Sequence, residues 1–122
     1  MELTHLLDTS ALIAPPELKP GSGRRLGTSI VCVGELQAAV LLARTAKLRA
    51  ERVAQLTATV STLVTLDIDA RVAAAYGELR ASTGRGPAND LWIAATANAH
   101  GLVLITRDRG LAQLPGIQAE LV

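Results

Sequence analysis

Pro87-Ala88-Asn89-Asp90-Leu91-Trp92-Ile93-Ala94-Ala95-Thr96-Ala97-Asn98-Ala99-His100-Gly101-Leu102-Val103-Leu104-Ile105-Thr106-Arg107-Asp108 reads as one helix followed by one strand. Pro87 stands just ahead of the helix, where its missing N–H costs nothing, and Asn89 or Asp90 supplies an N-cap or a first-turn acid. The body is almost all apolar or Ala, so such a helix is covered by protein on both sides. Gly101 marks its end. Leu102 to Ile105 is the short continuous apolar run of a buried strand. The helix climbs roughly 15 Å at about 1.5 Å per residue, and a strand from Leu102 to Arg107 returns roughly 16–20 Å at about 3.3 Å per residue. When the helix packs back along the sheet, Asp108 lands level with Asp90 and the two carboxylates share an edge.

The rest of the chain extends this unit. His5-Leu6-Leu7 is a short strand that ends at Asp8-Thr9-Ser10. A helix begins over Ala11 to Ala14 and is stopped by Pro15-Pro16. Glu17 to Gly27, with Pro20, three glycines and Arg24-Arg25, has the composition of a mobile loop. The pattern predicts a second strand over Thr28 to Cys32, then Gly34-Glu35 opening a mostly buried helix over Leu36 to Ala43. Lys47 to Thr62 is a further helix with Leu48, Val53, Leu56 and Val60 on its inner face. Leu63 to Leu66 is a third strand. Asp67 or Asp69 caps a helix over Ala70 to Ser82, whose Val72, Ala75, Tyr76 and Leu79 point inward, and Gly84 and Gly86 break it. Ile117 to Leu121 forms a final strand.

Strands alternating with helices predict a single domain over residues 1–122, a three-layer α/β/α sandwich around a short, mainly parallel sheet. Ligands of such sheets bind beyond the carboxyl ends of the strands. Asp8 follows the first strand, Glu35 lies in the first turn of the helix after the second, Asp90 begins the central helix and Asp108 ends its strand. All four fall on that edge, whereas Glu51, Glu78 and Glu120 lie on solvent faces.

Composition narrows the class of partner. The 122 residues are 49% hydrophobic with a formal net charge of +1, so a core is assured and bulk charge makes no argument for nucleic acid. Tyr76 and Trp92 are the whole aromatic complement, too few for a stacking platform; Trp92 reads as a core or interface anchor. Cys32 is alone, which rules out a disulfide framework and suits a buried thiol in a reducing compartment. Met1-Glu2-Leu3-Thr4 lacks the basic start of a signal peptide, and no apolar run reaches the about 18 residues of a membrane span. A cytoplasmic location is expected, with no membrane role.

Two carboxylates about 4 Å apart repel by roughly 4 kcal/mol at an effective dielectric near 20. Four on one edge call for a hard divalent cation, and an all-oxygen set suits Mg²⁺ or Mn²⁺. No His or Cys stands at zinc-ligand spacing. Metal-dependent phosphodiester hydrolysis is the chemistry such an edge serves best. Thr9, Ser10 and Thr106 add hydroxyls beside the acids. Each acid alone has a plainer reading, Glu35 and Asp90 as partners of a helix dipole and Asp8 and Asp108 as turn residues; their co-location is what favours a site. Lys19, Arg24 and Arg25 lie in the loop after the first strand, either as contacts to RNA phosphates at that edge or as solvated loop residues. Arg107 and Arg109 flank Asp108 and are weaker candidates for the same role.

Leu6-Leu7-Asp8-Thr9-Ser10-Ala11-Leu12-Ile13, Val33-Gly34-Glu35-Leu36, Asn89-Asp90-Leu91-Trp92-Ile93-Ala94-Ala95-Thr96 and Gly101-Leu102-Val103-Leu104-Ile105-Thr106-Arg107-Asp108 together resemble the PIN-domain family, and within it the VapC-type toxins of bacterial toxin–antitoxin pairs. The resemblance spans nearly the whole chain. It implies a Mg²⁺-dependent endoribonuclease whose metal ligands are Asp8, Glu35, Asp90 and Asp108, a cognate antitoxin whose tail blocks the site, and a homodimer. The chain departs from the family pattern in the Pro- and Gly-rich segment 15–27, where many members have a helix, and at Asn89 and Gly110, where some carry a further acid. A phosphatase of the haloacid dehalogenase type wants a second Asp two residues after Asp8, where this chain has Ser10. A nucleotide-binding domain lacks its Gly-rich loop here. The competing non-enzyme reading is a module on the same fold that grips RNA or antitoxin without cutting.

Overall fold

The computed structural model describes residues 2–17, 21–84 and 86–122. Strand β1 (His5–Leu7) runs through the middle of a five-stranded sheet. After it come helix α1 (Thr9–Ile13), β2 (Leu26–Ser29), α2 (Ile30–Leu41), α3 (Ala46–Thr62), β3 (Val64–Leu66), α4 (Ala70–Thr83), α5 (Ala88–Ala99), β4 (Val103–Thr106), α6 (Arg109–Ala112) and β5 (Ala119–Leu121). The strand order is β3-β2-β1-β4-β5, with every neighbouring pair parallel. Right-handed crossovers set α1–α3 on one face and α4 and α5 on the other, the three-layer α/β architecture expected from the alternation. Leu6 and Leu104, paired across β1 and β4, are fully buried, as are Leu91, Ile93 and Val72 from the covering helices.

Local chemistry decides where the elements begin. Asp8, Ser29, Thr45, Asp69 and Asp108 each accept a backbone N–H at the start of a helix, while α5 begins after Pro87 with no side-chain cap. Gly27 is needed in β2. A Cβ there would come within 2.6 Å of Leu3 Cδ1 and 3.0 Å of the Val64 carbonyl oxygen, so only glycine lets β3 pair this closely.

Several expectations are corrected. The second strand is Leu26–Ser29, not Thr28 to Cys32, because Ser29 Oγ accepts the Val31 N–H at 3.0 Å and starts α2 at Ile30. The β-branched Ile30 and Val31 are therefore helical, and Glu35 sits in the second turn of α2 rather than the first. That helix is not mostly buried: Cys32 and Leu36 face the core, while Leu41 and Leu42 are 78% and 74% exposed. On α3, Leu48 and Leu56 are half-buried as expected, but Val53 and Val60 are exposed. This helix rests on α1 and α2, and a narrow stripe suffices against helices. Glu120 lies near the surface as expected, its side chain 37% exposed, and β5 brings it to Arg24 Nη2 (2.8 Å) and His5 Nε2 (3.3 Å). The mobile-loop expectation for Glu17 to Gly27 falls partly on Leu18, Lys19 and Pro20, which lie outside the described residues, as does the Lys19 contact. No helix is described between Ala14 and Leu26. Trp92 is half-buried and stacks on Tyr76 with ring centroids 3.9 Å apart.

Candidate active site

β1 and β4 lie side by side, yet the chain leaves them toward opposite ends of the sheet, β1 to β2 and β4 to β5. This reversal opens a crevice at their carboxyl ends. Asp8 follows β1 there and Asp108 follows β4. Asp8 is 3% exposed. Its Oδ1 accepts the Ala11 N–H (2.9 Å) and the Ser10 hydroxyl (2.7 Å), and its Oδ2 accepts the Thr106 hydroxyl (2.5 Å). The same two hydroxyls also accept from the chain that leaves β4: Ser10 Oγ accepts the Arg107 N–H (2.9 Å), and Thr106 Oγ1 accepts the Asp108 N–H (3.0 Å). One network thus locks the ends of β1 and β4 to each other. Asp108 Oδ1 accepts the Leu111 N–H at 3.1 Å and starts α6.

Glu35 and Asp90 come from outside the sheet. Thr9 Oγ1 donates to Glu35 Oε1 at 2.6 Å. α2 touches α5, and Asp90 lies in the first turn of α5. Burial raises the Asp90 carboxyl above its ordinary value, and the charges of Asp108, Glu35 and Asp8 raise it further. All four acids therefore share one field at one edge. Among the described residues, no three of His, Cys, Asp and Glu converge tightly enough to hold a metal ion as they stand; Asp8, Glu35 and Asp108 spend oxygens on the donors just named. A cleft of about 300 Å³ opens between Asp90 and Asp108, over Leu91, Leu111 and Leu114.

The sequence pattern of the PIN domain matches residues 5–117. The chain belongs to the PIN-domain family. Ribonuclease VapC5 of Mycobacterium tuberculosis is 39% identical over 91% of this chain and 87% of its own length. Ribonuclease VapC4 of the same organism is 37% identical over 80% and 77%. The crystal structure of VapBC-5 from M. tuberculosis, a member of the VapBC family of toxin–antitoxin systems, superposes with a TM-score of 0.82 at 38% identity, covering 98% of this chain and 97% of that one.

In this PIN domain Thr9, Ser10 and Thr106, expected beside the acids, are the residues that hold Glu35 and Asp8. The basic residues divide. Arg107 lies at the acid edge, its Nε donating to the Ala14 carbonyl. Arg24 and Arg25 do not, which corrects their expected placement. They precede β2, roughly 13 Å of strand at about 3.3 Å per residue below the carboxyl edge. There Arg24 pairs with Glu120 and Arg25 donates to the Glu2 carbonyl. Helix α6, with Gly110 and Leu111 on the cleft, went unread in the sequence; Asp108 followed three residues later by an apolar Leu was its only mark, and the strand end masked it. The Cys32 thiol, pushed up by burial, points to the Leu7 carbonyl and has a core role.

Proposed function

We propose that this chain is a divalent-metal-dependent endoribonuclease, the toxin of a toxin–antitoxin pair. The observation that carries the reading is the placement of Asp8 after β1 and Asp108 after β4 at the switch point of a parallel sheet, with Glu35 held by Thr9 and Asp90 in the first turn of α5. The donor set fits Mg²⁺ or Mn²⁺ in kind: carboxylates only, with no His or Cys among them. Asp8, Glu35, Asp90 and Asp108 would hold such an ion, with Asp8 fixed by three donors. A bound Mg²⁺ supplies activation of water and relief of charge on a phosphoryl oxygen. The protein's own part is placement: Ser10 and Thr106 aim Asp8, Thr9 aims Glu35, and the β1–β4 network fixes the spacing of Asp8 and Asp108.

The partners follow from likeness and surface. The VapBC-5 relative belongs to a toxin–antitoxin family, and that likeness supports an antitoxin as the partner of this chain; as part of the same proposal, the antitoxin covers the acid edge and the chain pairs with a second copy of itself. Exposed Leu41 and Leu42 on α2 and Val53 and Val60 on α3 are the apolar surface a partner-bound protein carries. RNA enters at the carboxyl edge, beside Arg107. Among the described residues no helix is long and apolar enough to cross a membrane.

One observation favours a second reading, a module that binds RNA or antitoxin without cutting: no three described acids converge on a point. Cleavage of total RNA by antitoxin-free protein separates the two. Activity with Mg²⁺ that disappears in EDTA and in Asp8→Asn, which keeps shape and loses charge, supports the nuclease. Folded wild type that neither cuts RNA nor takes up Mg²⁺ hands the site to the binding module.

A further inference from the structure

The cleft beside the acids has a chemistry of its own. Asp90 and Asp108 line it, but the apolar side chains it presents to solvent are the exposed Pro87 and the half-buried Leu114, since Leu91 and Leu111 are only 0% and 3% exposed. About 300 Å³ is the low end of small-ligand pockets. A phosphate gains nothing against apolar walls between two carboxylates. An uncharged, flat heterocycle does, because it buries its faces on aliphatic side chains without bringing charge. Aromatic stacking, the usual way to hold a splayed base, is not on offer: Tyr76 and Trp92 are stacked on each other and neither lines the cleft.

Two glycines line the cleft. Gly86 has φ +110°, a conformation other residues rarely adopt. At Gly110, in α6, a Cβ would stand 3.3 Å from Asp108 Oδ1 and press on that carboxylate. A second depression, along Ser82 and Gln113, shares Gly110 and Leu114 with the cleft.

We propose that the cleft between Pro87 and Leu114 is a subsite for the nucleobase next to the cleaved phosphodiester, seated against those two side chains with its phosphate at the acids. The assignment rests on the nuclease reading above, and it adds a hydrophobic determinant of which nucleotide is presented for cutting.

The test is a titration of methyl-labelled wild type, followed by NMR, with AMP, CMP, GMP and UMP, and with ribose 5-phosphate as the baseless control, each with Mg²⁺. Nucleotides are expected to shift the Leu91, Leu111 and Leu114 methyls saturably, and ribose 5-phosphate to leave them in place. Leu114→Phe, which narrows the cleft, is expected to weaken nucleotide binding about tenfold. Equal methyl shifts from nucleotides and ribose 5-phosphate, or none from either, overturn the subsite even where RNA is cleaved. Shifts from N-acetyl-leucinamide and none from nucleotides overturn it in favour of a protein ligand. Base-dependent shifts in a protein that cuts no RNA overturn the nuclease reading and with it the subsite's place beside a cleaved bond, whereas cleavage without such shifts overturns the subsite alone.

Discussion

Burial first, and then the charges of Asp108, Glu35 and Asp8, hold the Asp90 carboxyl above its usual 3.8. A carboxyl raised on folding stabilises the fold below its unfolded value, and that contribution is lost as pH rises through the folded value. At neutral pH the charged side chain therefore opposes folding. Asp90→Asn is expected to raise the melting temperature of the metal-free protein by a few degrees at pH 7 and to narrow its pH dependence just above pH 4. In the same variant, the rise that Mg²⁺ gives the wild type is expected to fall away, since a ligand stabilises only what it binds. Differential scanning fluorimetry across pH, with and without Mg²⁺, measures both effects. Asp90 and Asp108 could be placed together from the sequence because a helix and the strand after it have fixed rises. The hold on Asp8 could not, since it runs through Thr106, 98 residues away, and no local pattern encodes that pairing.

At the scale of elements, the contest at residues 28 to 35 is the instructive one. Thr28, Ile30 and Val31 carry β propensity, and the sequence reads as a strand through Cys32. The Ser29 hydroxyl ends it by accepting the Val31 N–H, and the helix that follows carries Glu35 one turn further in. Ser29 is fully buried, so loss of its cap bond is felt. Ser29→Ala is expected to cost about 1–2 kcal/mol, the upper range for lost caps, read as a lower urea midpoint with unchanged slope. Helix α5 and strand β4 were legible because apolar content, Pro87 and Gly101 agree. The outward sides of α2 and α3 were not: apolar residues on a helix say that something covers them, not whether it belongs to the same chain.

Over the whole molecule the sheet is laid out as expected, with four acids on its carboxyl edge, while Arg24 and Arg25 fell on the wrong edge because loop length does not reveal where a strand is entered. The net charge of +1 likewise hides a local concentration of negative charge. The surface away from that edge carries its own expectation. Because Leu41 and Leu42 are largely in solvent, Leu41→Glu with Leu42→Glu is expected to change the stability of the isolated chain by no more than about 0.5 kcal/mol. The same pair of changes is expected to reduce association between copies, or with a partner, in size-exclusion chromatography with light scattering.

The all-parallel sheet also sets a clock. No strand pairs with the one next to it through a tight turn, and the two strands that frame the acids lie nearly a hundred residues apart in the chain. At synthesis rates of about 5–20 residues per second, roughly 5–20 s pass between the emergence of Asp8 and that of Thr106. Through that interval the nascent chain has a first strand and a first carboxylate but no site. Whatever chemistry the edge performs begins only when β4 slides in beside β1, late enough for a partner made nearby to be waiting.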